Sequence, residues 1–151
     1  MYESEWRPAL NALRMSLFLI FLLGIVSGIR TFTAPAVLWV MRHGGPWAYV
    51  LSAAALFENY LDVNPNAPAR TKAFGLACRI AGGAFVGWWS AIATGISPPL
   101  GAVVAVVGAI AGTYGSYLLR KRAIAVIGNV PSGILEDSIA IAASAAIVAR
   151  L

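Results

Sequence analysis

The sequence predicts an all-α integral membrane protein of about five transmembrane helices, in a single domain covering residues 1–151. Three observations predict it. Of 151 residues, 60% are hydrophobic and 11% charged, against roughly 45–50% and about 25% in an ordinary globular domain. Mean hydropathy is +0.78, which leaves too little polar surface to wrap a soluble core. The charged residues sit singly or in short groups between long apolar runs, not along a continuous phosphate-binding face. The net charge of +5 therefore reads as a topology signal, with no nucleic acid implied. One cysteine, Cys78, excludes a disulfide framework and a cysteine-based zinc site; one histidine, His43, argues against a histidine-rich metal centre. No cofactor is expected.

Each span follows from its apolar length and its breakers. A helix needs about 20 apolar residues to cross roughly 30 Å of hydrocarbon. The first candidate runs from Met15 to Met41, interrupted by Ser27, Gly28, Arg30, Thr31, Thr33 and Pro35. His43-Gly44-Gly45-Pro46 makes a turn, with Pro46 well placed to start a helix. A shorter second span covers Pro46 to Asp62, ended by Asn64-Pro65-Asn66-Ala67-Pro68. The third covers Ala73 to Thr94, before a break at Ser97-Pro98-Pro99. The fourth runs from Leu100 to Leu119 and stops at Arg120-Lys121-Arg122. After a turn at Gly128-Asn129-Val130-Pro131, the fifth fills Pro131 to Ala149. Ala34-Pro35-Ala36 has the form of a signal cleavage site, but Glu3, Glu5 and Arg30 argue against cleavage.

Five spans permit two orientations. With the N-terminus inside, Arg7, Arg14, Arg70, Lys72, Arg120, Lys121 and Arg122 are cytoplasmic, and only Arg42 and Arg150 lie outside. That bias favours N-terminus in and C-terminus out. A glycine-bearing helix, a Gly-Pro turn and an acid-bearing helix occur in spans one and two and again in spans four and five. This order suggests an inverted repeat of helices 1-2 and 4-5.

Charges inside apolar helices are costly, and they mark candidate sites. Glu58 and Asp62, at i and i+4, share a face near the end of span two. Glu136 and Asp137 lie early in span five, and Arg79 early in span three. All five fall in one layer near the cytoplasmic helix ends, there to pair with one another or to face a wet cavity. Structural alternatives remain open. Glu136 and Asp137 suit the positive end of a helix dipole, Asp62 can pair with Arg70 or Lys72, and Glu58 can pair with Arg79. Arg30 is expected deeper, near mid-membrane. Thr31 and Thr33 offer hydroxyls beside it, and Pro35 frees the Thr31 carbonyl, as in a discontinuous helix lining a binding site; the alternative is a proline kink with Arg30 paired to a carboxylate.

Gly24/Gly28, Gly83/Gly87 and Gly108/Gly112, with Ala111/Gly115, give small-residue ridges for close helix packing, within the chain or in a homo-oligomer such as a dimer. Trp39, Trp47, Trp88 and Trp89 read as an aromatic belt, and Cys78 as a small packing residue.

At these motifs the chain resembles a family of small bacterial multi-pass membrane proteins, domain of unknown function four-one-two-six. The resemblance rests on Gly28-Ile29-Arg30 with Pro35, Glu58-x-x-x-Asp62 with Pro65, Arg79 with Gly82-Gly83, and Leu135-Glu136-Asp137. It departs at Val63, where the family pattern commonly has Lys, and at Asn66-Ala67-Pro68, which carries no acid. It implies location in a bacterial cytoplasmic (inner) membrane and brings no activity.

The residues themselves suggest a small transporter or channel for a cation or cationic solute. Four carboxylates against two intramembrane arginines make the layer an acidic cavity. Substrate contacts are expected from Glu58, Asp62, Arg79, Glu136, Asp137, Arg30, Thr31 and Thr33. A lipid-headgroup-handling protein, with Arg30 and Arg79 on a phosphate, is the alternative, as is a structural or assembly role. A metal-dependent intramembrane transferase is disfavoured, because its D-x-x-D-type spacing is absent. Membrane lipids, a small cationic solute and a second copy are the expected partners.

Overall fold

A computed structural model describes residues 6–63 and 73–151, and its elements are all helices. They are α1 (Arg7–Ile29), α2 (Thr33–Arg42), α3 (Gly45–Val63), α4 (Ala73–Ala93), α5 (Pro98–Ile127) and α6 (Asn129–Val148). Among the described residues four helices, α1, α4, α5 and α6, are long and apolar enough to cross a membrane. The expected count of about five is not reached. At ten residues α2 is too short, and α3 carries Glu58, Asn59 and Asp62 in its second half.

The expected first span is where sequence and structure part. The chain leaves the helix at Arg30, which closes α1 through its N–H on Val26 O at 2.9 Å and then turns extended (φ −136°, ψ 116°). Pro35, in the first turn of α2, has no N–H for the Thr31 carbonyl and its ring would collide with it. The chain does not kink there; it reverses. At one end of the α2 run Arg30 meets Asp137, and at the other Arg42 Nη2 donates to Val148 O at 2.9 Å, so α2 runs parallel to α6. Gly44 and Gly45, both at φ near 70° (67° and 73°), then turn the chain into α3, which lies antiparallel to α2. That left-handed backbone suits glycine and few other residues.

The bundle centre is made by α1, α4 and α5, and glycine lets them touch. A Cβ at Gly24 would overlap the carbonyl of Ala105, and one at Gly28 that of Ala109. From the other side, Gly108 and Gly112 press on the backbones of Phe21 and Ile25. Both sets of partners ascend together, so α1 and α5 are parallel. Thr113 Oγ1, at 3.2 Å from Gly28 O, adds a hydroxyl contact across the seam. Gly83 and Gly87 meet Ala105 and Gly101 in descending order, which makes α4 antiparallel to α5. The three glycine ridges are consumed inside the chain.

Two expectations fall with this geometry. An inverted repeat needs α1 and α5 opposed, and they are parallel. The C-terminus was expected opposite the N-terminus, yet α6 runs antiparallel to α1: Asp137, in its first half, meets Arg30 past the end of α1, and Val148, at its other end, meets Arg42 after the chain has turned back. The reversal at Arg30 is the cause, since it adds one change of direction. Among the described residues, Arg7, Arg14, Arg42 and Arg150 fall towards one end of the bundle and Arg120, Lys121 and Arg122 towards the other, so their balance no longer selects an orientation.

The hairpin α2–α3 lies against this bundle, and among the described residues α3 packs only on α2 and α6. Its outer face, with Trp47, Tyr49, Leu56, Phe57 and Tyr60, is exposed and apolar, as a lipid-facing helix requires. At the face holding the termini, Trp39 stacks on His43 (4.4 Å between centroids) and meets Trp89 edge-on at 5.2 Å. Trp39 and Trp89 are thus packed together, whereas Trp47 and Trp88 are exposed in the manner of a belt.

Candidate functional site

The break between α1 and α2 leaves backbone donors without helical partners. Glu58, on α3, supplies the acceptors. Its Oε1 accepts the Thr31 N–H at 2.8 Å and its Oε2 the Phe32 N–H at 3.0 Å. A carboxylate at the start of α2 also sits at the favourable end of that helix's dipole. Among the described residues Glu58 forms no ion pair, with Arg79 or any other cation, so the Glu58–Arg79 pair is not what holds it. The Thr31 carbonyl that Pro35 frees lies 3.5 Å from Ser27 Oγ. Thr31 and Thr33 are both buried at this break.

Arg30 is buried to 1% exposure, a position that no guanidinium holds without compensation. Its Nε lies 2.5 Å from Asp137 Oδ1, and its Nη2 lies 3.9 Å from Glu136 Oε2. Arg30 follows Gly28, which packs on Ala109 near the middle of α5, so its backbone lies level with that midpoint and its side chain reaches from there to the acids. Glu136 and Arg120 each lie seven residues from the facing ends of α6 and α5, about 10 Å inside. Arg79 is buried six residues into α4, one turn before Gly82, which packs on the Thr31 carbonyl. The layer is therefore shared by α1, α3, α4, α5 and α6. Asp62 lies in the last turn of α3, and its side chain falls outside the described residues, as do Arg70 and Lys72.

Arg120 belongs to this layer and was missed. The fourth span was expected to stop at Leu119, but Ala123-Ile124-Ala125-Val126-Ile127 carries α5 on until Gly128, at φ 86°, ends it. Arg120 Nη1 then reaches Glu136 Oε2 at 2.9 Å, and its Nη2 reaches Asn129 Oδ1 at 3.3 Å. With Arg120 counted, the described layer holds three arginines and three carboxylates, not an excess of acid.

Between these groups is a small polar pocket of about 100 Å³, lined by Arg30, Asn59, Arg120, Asn129, Gly133 and Asp137 among others. Asn59 Oδ1 is buried there and, among the described residues, has no hydrogen-bond partner. Neither asparagine was singled out from the sequence, although Asn59 directly follows Glu58 in an otherwise apolar helix. No protein family, curated protein or solved structure matches the chain.

Proposed function

We propose that the protein is a small membrane transporter or channel for a cation or cationic solute, which binds in the polar layer where α1 ends and α2 begins. The observation that carries this is that Asp137 shares one small pocket with a buried amide oxygen, Asn59 Oδ1, that has no partner among the described residues. Both are hydrogen-bond acceptors, and a buried acceptor left unsatisfied costs about 1–3 kcal/mol. An ammonium- or guanidinium-bearing solute supplies donors to both. Arg30 neutralises Asp137 in the resting site, so an incoming cation competes with it and its arrival is coupled to release of the guanidinium. Glu58 keeps the adjoining break in the backbone closed. In the membrane, we take α1, α4, α5 and α6 to cross, with α2–α3 entering as a hairpin from the face that holds the charged layer. Such broken helices at buried polar layers are how several transporter folds present binding groups.

A thermal-shift series in detergent tests this with sodium, potassium, methylammonium, guanidinium and spermidine. At least one should stabilise the wild type and fail to stabilise Asp137→Asn. Asn59→Leu removes the unpaired oxygen without touching the Arg30 ion pair, and it should weaken the same shift in a folded protein. Equal shifts in all three proteins, or none in any, would overturn the proposal.

A further inference from the structure

We propose a second site, which meets the solute pocket at Arg120: the groove between α1, α5 and α6 seats an acyl chain of a phospholipid whose headgroup carries both a phosphate and a primary ammonium. The groove measures about 310 Å³ and its walls are apolar, with Ile25, Ile29, Leu119, Leu135 and Ile139 among them. Its floor is kept open at Gly115, where a Cβ would meet nothing within 4 Å. Its charged end is a fixed pair, Arg120 with Glu136, their side chains 14% and 12% exposed. A phosphate matches the guanidinium, and a primary ammonium matches the carboxylate, each through charge-assisted hydrogen bonds.

The depth fits as well. At 30 residues α5 is ~45 Å long, enough to cover the hydrocarbon and both headgroup regions, about 40–45 Å together. Arg120, about 10 Å from the end of α5, then sits where acyl chains meet headgroups. The exposed Lys121 and Arg122 follow on the next positions. A choline headgroup matches less well, because its quaternary ammonium has no N–H to give Glu136. A glycerol headgroup offers no cation at all.

Native mass spectrometry tests the site on the full chain after exchange into mixed micelles of ethanolamine, choline and glycerol phospholipids. One ethanolamine lipid per chain should be retained. One charge-assisted hydrogen bond corresponds to about tenfold or more in affinity over the other two. Gly115→Leu fills the groove where there is room for it, and should abolish retention while melting temperature and helicity stay at wild-type values. Ala111→Phe, on the same wall, should do likewise. Glu136→Gln should keep a lipid but lose the preference for ethanolamine. Equal retention by wild type and Gly115→Leu would overturn the proposal, as would equal retention of choline lipid by the wild type. A lipid-free dimer that Gly115→Leu disrupts would overturn it too, by giving the groove to a second copy.

Discussion

Replacing Glu58 with Gln keeps the side chain's size and removes one acceptor. The carboxylate takes the Thr31 and Phe32 N–H groups at 2.8 and 3.0 Å. The amide can accept from one of them and presents its own donor to the other. Hydrogen bonds to charged groups contribute about 1.5–3 kcal/mol, and a stranded donor costs about 1–3. The dipole of α2 adds about 0.3–1 kcal/mol in favour of the carboxylate. Because the Phe32 contact is exposed, water recovers part of the loss. The net cost to the closed break is then about 2–3 kcal/mol, or roughly 30- to 150-fold in its opening equilibrium. Thermal melts in detergent report it: Glu58→Gln should lower stability by about 2–3 kcal/mol, and Glu58→Asp, which keeps the charge on a shorter arm, should fall between. An unchanged melting temperature in Glu58→Gln would refute the capping role.

Further outcomes follow from the same geometry. Gly28→Leu would drive a side chain into the Ala109 carbonyl and should cost about 1–3 kcal/mol or prevent folding, whereas Gly115→Leu should leave the melting temperature unchanged. Asp137→Leu takes the nearest carboxylate from the buried Arg30 and should cost about 3–5 kcal/mol, while Arg30→Met with Asp137→Leu should recover much of it; thermal melts of wild type, the two single variants and the double form the cycle. Single cysteines near Trp6 and at Leu151, in a Cys78-free background, should label from the same side of the membrane. Labelling from opposite sides would restore the single unbroken first span and contradict the reversal at Arg30.

Much of the helix order is readable without coordinates, because each boundary is a Pro, a Gly or an Asn-Pro cluster acting through local backbone chemistry. The reversal at Arg30 was not. Pro35 forecasts a defect, but whether the chain bends or turns back depends on where Arg30 and Arg42 find partners, and both partners are on α6. That error propagated into topology, and with it the inverted repeat. The site was more legible than it looked. Arg120 and Glu136 are each eight residues from Gly128, so any antiparallel hairpin turning there sets them opposite each other. Arg30 and Glu58 are likewise each fourteen from Gly44, which places Glu58 at the break. Counting outward from glycine turns would have found both meetings. Asn59 had no such signal, since an amide beside a carboxylate reads as ordinary helix-end polarity until its burial is known.

The most direct test of the solute site is flux. Proteoliposomes holding wild type, Asp137→Asn or Asn59→Leu would be loaded with buffer and offered radiolabelled methylammonium, guanidinium and a polyamine, with sodium and potassium as inorganic controls. The expected result is saturable uptake of at least one organic cation by wild type, lost in Asp137→Asn and weakened in Asn59→Leu, with all three proteins folded. Uptake no faster than in protein-free liposomes for every cation, or uptake that Asp137→Asn leaves unchanged, would contradict a cation site at the α1–α2 break.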